Sequence, residues 1–177
     1  DGEALAYASD ELRADYDIVI KAMKRSGVAL QFASPELRGD PTVVLEAAKQ
    51  HGKALLYASV ELRADRSFVL SAATHSGSAL AYSADELQID RSFVADVVAQ
   101  NAKALLHTST EFPADRSFVL DVVARNGRAL SYTAAFCAQH GDPTGFLLGD
   151  HEVVLGAVKE HGEALEFASV GLKNDRV

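Results

Sequence analysis

A 25-residue period runs through almost the whole chain of 177 residues. A small residue opens each unit: Gly2, Gly27, Gly52, Gly77, Ala102, Gly127 and Gly162. An aspartate marks a second position in each: Asp15, Asp40, Asp65, Asp90, Asp115, Asp150 and Asp175. The step from Gly127 to Gly162 is 35 residues instead of 25. A fixed period of this length is typical of stacked repeats, so we predict one repeat domain over residues 1–177, with six full units and part of a seventh.

The second half of each unit carries the pattern of an amphipathic helix. In the third unit Asp65 is a good N-cap, because its carboxylate can accept a bond from a free first-turn N–H. Phe68, Val69 and Ala72 then follow on one helical stripe. The helix should end before Gly77, for which we predict a left-handed C-cap.

Two shorter helices precede the long helix. Residues 29–33 predict a helix of two turns. Ser34 and Pro35 then favour a new one-turn helix, of α or 3₁₀ type. Proline suits the first position of a helix and would break a single helix running through that point. An aromatic residue recurs in the first of these segments, as Tyr7, Phe32, Tyr57, Tyr82, Tyr132 and Phe167. Helices this short need neighbouring repeats to bury their stripes. The predicted fold is therefore all-α, a right-handed α-solenoid of short, one-turn and longer helices.

The charge of the chain narrows the range of partners. The net charge is -8 and the pI about 5.2, which argues against binding a nucleic-acid backbone or an anionic membrane surface. No run of residues approaches the length of a membrane span. The single cysteine, Cys137, permits no internal disulfide and fits a reducing compartment. We expect a soluble protein, with a cytoplasmic or chloroplast location both open.

The ends of the sequence suggest a partial chain. It lacks an initiator methionine and opens at a repeat boundary, and it stops at residues 175–177, where a long helix is predicted to begin. We therefore expect a processed or partial product of a longer protein.

The repeat resembles a known family. The recurring string A-L-x-[YF]-A-S-x-E-L-R-x-D-[RP]-x-[FV]-V-L-x-A is similar to the repeats of the family called domain of unknown function 4116, over residues 2–134 and 150–177. A more distant likeness is to leucine-rich variant repeats, which pair an α-helix with a 3₁₀ helix. The resemblance implies no activity and transfers no catalytic residue. The departures from the string are Ala102, His107, Pro113 and Gly171.

Stacking of the repeats would align equivalent charged residues. One predicted row is Glu11, Glu36, Glu61, Glu86 and Glu111, and a second is Arg13, Arg38 and Arg63. The rows are either a solvated rim with arginine and glutamate paired between units, worth ~0–1 kcal/mol a pair, or a stripe that docks a partner. Because Gln88 and Pro113 end the arginine row, we take Glu61, Glu86 and Glu111 as candidates for a basic partner patch. A third row, Arg66, Arg91 and Arg116, follows the cap aspartates, and we favour a structural role for it.

The sixth unit differs most from the other units, because it contains 10 extra residues. Two glycines and a proline predict a projecting insertion loop over about residues 136–149, and insertions in repeat arrays often lie on the binding face. Its apolar residues either tuck onto the core or form a contact patch. The candidate binding residues of this segment are Phe136, His140, Phe146, Leu147 and Leu148.

The sequence gives little indication of a metal site or a catalytic site in this segment. Cys137, His140, Asp142 and His151 lack the paired close spacing that structural zinc prefers, and nothing marks an orienting group or oxyanion hole for a Cys–His pair. We predict no catalytic residue, no metal and no cofactor. The expected function is a non-enzymatic protein–protein interaction or scaffolding module. The alternatives are a structural subunit of a large assembly, which the algal distribution of similar proteins makes compatible with a chloroplast complex, an RNA-binding solenoid, and a ligand-binding module.

Overall fold

The protein is helical throughout the part that its structure, a computed structural model, describes: residues 2–140 and 145–174 contain α- and 3₁₀ helices and no strand. The all-α prediction is confirmed. The chain divides into two compact units, residues 1–90 and 91–177, which are described separately below. None of the described helices is long and apolar enough to cross a membrane.

Each regular repeat contains three helical segments in a fixed order. The first is a 3₁₀ helix: Gly2–Tyr7, Gly27–Phe32, Gly52–Tyr57, Gly77–Tyr82, Ala102–His107 and Gly162–Phe167. The second is a short α-helix: Asp10–Arg13, Pro35–Arg38, Val60–Ala64, Asp85–Ile89, Glu111–Ala114 and Val170–Asn174. The third is a long α-helix: Tyr16–Met23, Pro41–Gln50, Arg66–His75, Arg91–Gln100, Arg116–Arg125 and His151–Glu160.

The 3₁₀ helix is the first segment, whereas the sequence suggested it for the second. Its apolar residues explain the difference. Gly27, Leu30 and Ala33 are all buried and lie three residues apart. Because a 3₁₀ helix has three residues per turn, this spacing places all three on one face. An α-helix would spread them over a wider arc.

The predicted N-caps are confirmed. Asp15 accepts a hydrogen bond from the backbone N–H of Ile18 at 2.9 Å. Asp40, Asp65, Asp115 and Asp150 cap their long helices in the same way. Two of the short helices begin on serine caps, Ser34 and Ser59, whereas the helix Asp85–Ile89 follows Ala84 and has no side-chain cap. The Asp and Ser positions therefore set where the helices begin in the repeats that carry these bonds.

The glycine that opens a repeat permits a close approach of backbone. The helix before Gly77 ends on Ser76 in an extended conformation, not on a left-handed glycine cap, and the equivalent glycines Gly27, Gly52 and Gly127 do not lie in the left-handed region. A Cβ atom placed on Gly27 would lie 2.6 Å from the carbonyl oxygen of Ala47, and one on Gly127 would lie 2.3 Å from that of Ala157. The last turn of the long helix therefore packs directly against the backbone of the 3₁₀ helix.

In the first unit, equivalent helices of successive repeats pack on one another. The 3₁₀ helices contact each other in chain order, as do the long helices from Tyr16–Met23 to Arg66–His75. The short helices are tied by backbone hydrogen bonds: Ser34 N–H donates to the Arg13 carbonyl, and Ser59 N–H to the Arg38 carbonyl, both at 2.9 Å. The stack thus joins neighbouring repeats through both apolar packing and main-chain bonds.

In the second unit, the long helices Arg91–Gln100, Arg116–Arg125 and His151–Glu160 pack in the same order. Their core includes Phe93 and Phe118, both almost fully buried. The sixth repeat differs, because its first segment is a longer α-helix, Ala129–His140.

The predicted insertion loop over residues 136–149 is largely helical where it is described. Residues 136–140 extend the helix Ala129–His140, residues Gly145–Leu148 form a short α-helix, and residues 141–144 lie outside the described part. Leu130, Thr133 and Cys137 recur at helical spacing and are buried, which explains why the helix continues. The Leu148 carbonyl accepts from Ser169 N–H at 2.8 Å, so Gly145–Leu148 takes the place of the usual short helix.

Candidate interaction surface

The row of arginines that follow the cap aspartates joins consecutive repeats. Arg66 pairs with Asp90 in the first unit, and Arg91 pairs with Asp115 in the second. Arg116 continues the row, with its Nε 2.7 Å from Asp150. Arg91 and Arg116 thus reach the aspartates that cap the next long helices. This is the structural role that the regular Asp-Arg-Ser-Phe-Val string favoured.

The link between Arg91 and Asp115 includes further contacts with Ser117 and Phe118. Arg91 also donates to the Ser117 hydroxyl at 2.7 Å, and its guanidinium lies 5.3 Å from the centre of the Phe118 ring. Hydrogen bonds from Arg91 and then from Ser117 lower the pKa of Asp115 well below the usual carboxyl range. Arg116 lowers the pKa of Asp150 in the same sense.

Replacing Asp115 by asparagine is expected to reduce the acid sensitivity of the second unit. The pKa of Asp115 is lower in the folded chain than its unfolded value of about 3.9. Its stabilising contribution is therefore fully present above that value and is lost as the pH falls further. Because the pair is solvent-exposed, we expect at most about 1 kcal/mol. Urea denaturation at pH 6 and pH 2.5 measures the free energy of unfolding of both proteins. If this free energy changed equally with pH in the wild type and in Asp115→Asn, the pairing would be contradicted.

The acidic candidates are exposed in both units. Glu61 and Glu86 project to solvent in the first unit, and Glu111 does so in the second. Hydrogen bonds lower the pKa of Glu61, first from its own backbone and then from Ser59. Throughout the described residues, no ion pair joins the glutamate row to the arginine row of Arg13, Arg38 and Arg63. The acidic carboxylates are therefore free of the predicted arginine partners.

The apolar candidates of the sixth repeat separate into core and surface. Phe136 and Leu147 are 3% and 2% exposed and belong to the core. Phe146 is 76% exposed and Leu148 is partly exposed. The side chain of His140 lies outside the described part. Of the four apolar candidates, Phe146 therefore offers the largest contact surface.

No metal centre is formed within residues 2–140 and 145–174, since no three His, Cys, Asp or Glu side chains come together as ligands there. Cys137 is buried in the helix Ala129–His140. Asp142, which the sequence placed beside it as a weak candidate, lies outside the described part.

An apolar surface at the last repeat was not predicted from the sequence. Leu165 is 44% exposed. The equivalent leucines of the other repeats, none more than 4% exposed, are Leu5, Leu30, Leu55, Leu80, Leu105 and Leu130. Leu165 lines a groove of about 230 Å³ with Val154, Leu155, Val158 and Leu172. We call this surface the end face.

The end face carries residues whose equivalents in earlier repeats are buried. A Cβ atom on Gly162 would meet no heavy atom within 4 Å, whereas one on Gly127 would clash with the next long helix. Val158 is partly exposed, although its equivalents Val98 and Val123 are fully buried. The sequence predicts that the next long helix at this face begins at residues 175–177, which lie outside the described part.

These features define an all-helical protein with a tandem-repeat architecture. The sequence model of the family described as Domain of unknown function (DUF4116) matches residues 1–38 and 40–88, which confirms the family resemblance of the repeats over that part of the chain. Neither a curated protein nor a solved structure matches the chain.

Proposed function

We propose that this chain is a non-enzymatic protein-interaction or scaffolding module, built as a right-handed α-solenoid. The observation that carries the proposal is Phe146 of the second unit, a large apolar side chain that is 76% exposed. Burial of such a side chain against a partner removes it from water, which favours association. Fold alone does not determine function, so the proposal depends on this side chain and on the acidic residues.

The acidic residues add a second contact of different chemistry. Glu61, Glu86 and Glu111 are exposed, and the chain carries a net charge of -8. A basic patch on a partner protein would be attracted to them, and the attraction would weaken with salt. The extended surface of a solenoid is suited to such distributed contacts.

A structural subunit of a large assembly is the second candidate. Both units expose large apolar side chains away from the two ends of the sequence: Ile89 is 74% exposed in the first unit and Phe146 is 76% exposed in the second. Such surface in both units would suit a chain that contacts more than one neighbour.

Native fractionation of an extract from the source organism, followed by cross-linking mass spectrometry, tests both candidates. Lys159 and Lys173 of the second unit are exposed, so we expect cross-links from them to a partner protein. One partner would indicate an interaction module, and several in a large particle an assembly subunit. A chain that migrates alone at 18.9 kDa, without intermolecular cross-links, would contradict the proposal.

A matched pair of variants identifies the surface used. Phe146→Glu places a charge on the exposed aromatic position of the second unit, whereas Val60→Glu places one on an apolar residue of the first unit that is 64% exposed. We expect Phe146→Glu to abolish the cross-links to the partner and Val60→Glu to preserve them. Preserved cross-links in both variants would remove Phe146 from the proposed interface.

A further inference from the structure

We propose that Arg13, Arg38 and Arg63 of the first unit bind an extended acidic segment of a partner protein, in which every third residue carries a carboxylate. We call these three residues the short-helix arginines, because each lies in the short α-helix of its repeat. The inference goes beyond the proposed function, whose contacts at Phe146 and at the acidic residues do not involve these arginines.

The short-helix arginines occupy equivalent places that the main chain fixes. The carbonyls of Arg13 and Arg38 accept from the serine N–H at the start of the next short helix, both at 2.9 Å. The carbonyl of Arg63 accepts from Ala84 N–H at 2.8 Å. All three side chains are half-buried, and the Nε atom of each is buried without an acceptor among the described residues. The three guanidinium groups therefore form one regular row in the first unit.

The glutamates of the same short helices do not neutralise this row. Hydrogen bonds from Ser34 and then from its own backbone lower the pKa of Glu36, so its carboxylate is engaged at the start of its helix. Neither Arg38 nor Arg63 forms an ion pair with any described residue. Their positive charge is therefore available to an outside carboxylate.

Arg13 shows how far the fold itself satisfies such a guanidinium. Its Nη2 donates to the Ala6 carbonyl at 2.8 Å. Its Nη1 lies 3.8 Å from Asp10, whose side chain is 98% exposed. The equivalents of Asp10 in the next two repeats are Pro35 and Val60, which carry no charge. A guanidinium has several N–H donors, so the row has more donors than the described residues accept.

A groove between the first and second repeats gives access to the row. It measures about 480 Å³, and both of its walls belong to the first unit. Its lining includes Arg13, Arg38, Phe32, Ser34, Asp10 and Glu36. Two successive short-helix arginines thus reach the same groove. A carboxylate bound there would accept charge-assisted hydrogen bonds, for which the planar fork of arginine is well suited.

The spacing of the repeats determines the pattern of the partner segment. The long helices of successive repeats pack on one another, which sets a repeat distance of about 8–10 Å. A polyproline II segment advances about 9 Å over three residues and returns every third side chain to the same face. Acidic residues at positions i, i+3 and i+6 would therefore meet the three arginines in turn.

Gln88 ends the row within the first unit. It occupies the equivalent position of the fourth repeat, and its Nε2 donates to the carbonyls of Ser83 at 2.9 Å and Ala81 at 3.4 Å. Glutamine therefore keeps a contact with the main chain but adds no positive charge. The row thus matches a segment with three acidic residues.

A protein segment fits the row better than a nucleic acid does. The chain has a net charge of -8, and Glu11, Glu36 and Glu61 are exposed two residues before each arginine. These carboxylates would repel a continuous phosphate backbone, which carries charge along its whole length. A peptide with spaced carboxylates places negative charge only opposite the arginines.

The test is a titration of the full chain with the peptide Glu-Pro-Pro-Glu-Pro-Pro-Glu, whose prolines favour polyproline II. The control peptide Glu-Glu-Glu-Pro-Pro-Pro-Pro has the same composition and charge but adjacent carboxylates. We follow the arginine Nε–H signals by NMR at low salt and expect shifts at Arg13, Arg38 and Arg63. The control should bind about tenfold more weakly, because its carboxylates cannot reach all three arginines together. Equal binding of both peptides, or shifts confined to other arginines, would overturn the inference.

Glutamine substitutions provide a matched comparison, since Gln88 shows that the fold accepts glutamine at this position. Arg38→Gln with Arg63→Gln should weaken the spaced peptide by at least about tenfold, a loss of ~1.4 kcal/mol. Lys24→Gln with Lys53→Gln removes the same charge from exposed residues of the first unit and should leave binding unchanged. Equal losses in the two double variants would reduce the effect to net charge and overturn the inference. Melting curves confirm that both are folded.

Gln88→Arg tests the row without removing an arginine. It adds a fourth arginine, so a peptide with a further glutamate at i+9 should bind it about tenfold more tightly than it binds the wild type. No gain in affinity would contradict the register. Preference of the row for a single-stranded oligonucleotide over the spaced peptide would overturn the assignment to a protein segment. Partner cross-links that need Phe146, together with a peptide that does not bind, would overturn this inference alone and leave the proposed function standing.

Discussion

Replacing Leu130 by alanine is expected to lower the free energy of unfolding by about 2–5 kcal/mol, the range for large-to-small substitutions in a packed core. Leu130 is fully buried in the second unit. Its truncation removes apolar burial and leaves a cavity between two repeats. Urea denaturation followed by far-ultraviolet circular dichroism measures the change. We expect a loss of similar size for Leu30→Ala and Leu55→Ala in the first unit, where both side chains are equally buried.

Leu165→Ala is the matched control, since it removes the same atoms from the equivalent position. Leu165 is 44% exposed, so we expect a loss of roughly 1 kcal/mol. A loss for Leu130→Ala no larger than that for Leu165→Ala would contradict the difference in packing. Hydrogen exchange should also show the Leu130→Ala damage in the repeats on either side, because stability in a stack couples nearest neighbours.

Replacing Gly127 by alanine is expected to destabilise the chain by about 1–3 kcal/mol, as overpacked core positions do. The new Cβ would lie 2.3 Å from the carbonyl oxygen of Ala157, a backbone atom that cannot rotate away. The long helix His151–Glu160 must therefore shift. Ala102 shows that a methyl group can be accommodated at this position of another repeat, but only where the neighbouring helix leaves room for it.

Gly162→Ala is expected to act in the opposite direction. No atom lies within 4 Å of its new Cβ, and the alanine reduces the entropy of the unfolded chain, which stabilises a protein by about 0.4–1 kcal/mol where the conformation allows it. We therefore expect the melting temperature of Gly127→Ala to lie below that of the wild type and the melting temperature of Gly162→Ala to lie above it. A shift of the same sign and size in both would contradict the assigned packing role of Gly127.

The elements that depend on local chemistry could be predicted from the sequence. Asp15 and Ser34 were predicted as caps because their oxygens satisfy free N–H groups within the next few residues, and both do so. The long helices followed from the 3.6-residue stripe of Val69 and its neighbours. These features require no knowledge of how repeats meet.

Features that depend on contact between repeats were predicted less well. A left-handed backbone angle was predicted for Gly77 from its place after a helix. The equivalent Gly27 is instead required by the close approach of Ala47, which lies 20 residues further along the chain. The helix through Phe136 was expected to be a loop, because the glycine and proline that follow it dominated the pattern.

The α-solenoid is the central claim behind the proposed function, and small-angle X-ray scattering of the full chain tests it most directly. A single compact globule of this length would have a radius of gyration of about 16 Å. Stacked repeats form an elongated body, so we expect a clearly larger value, above about 18 Å, with a distance distribution skewed to long distances. A radius near 16 Å with a symmetric distribution would contradict the solenoid and the extended binding surface proposed for it.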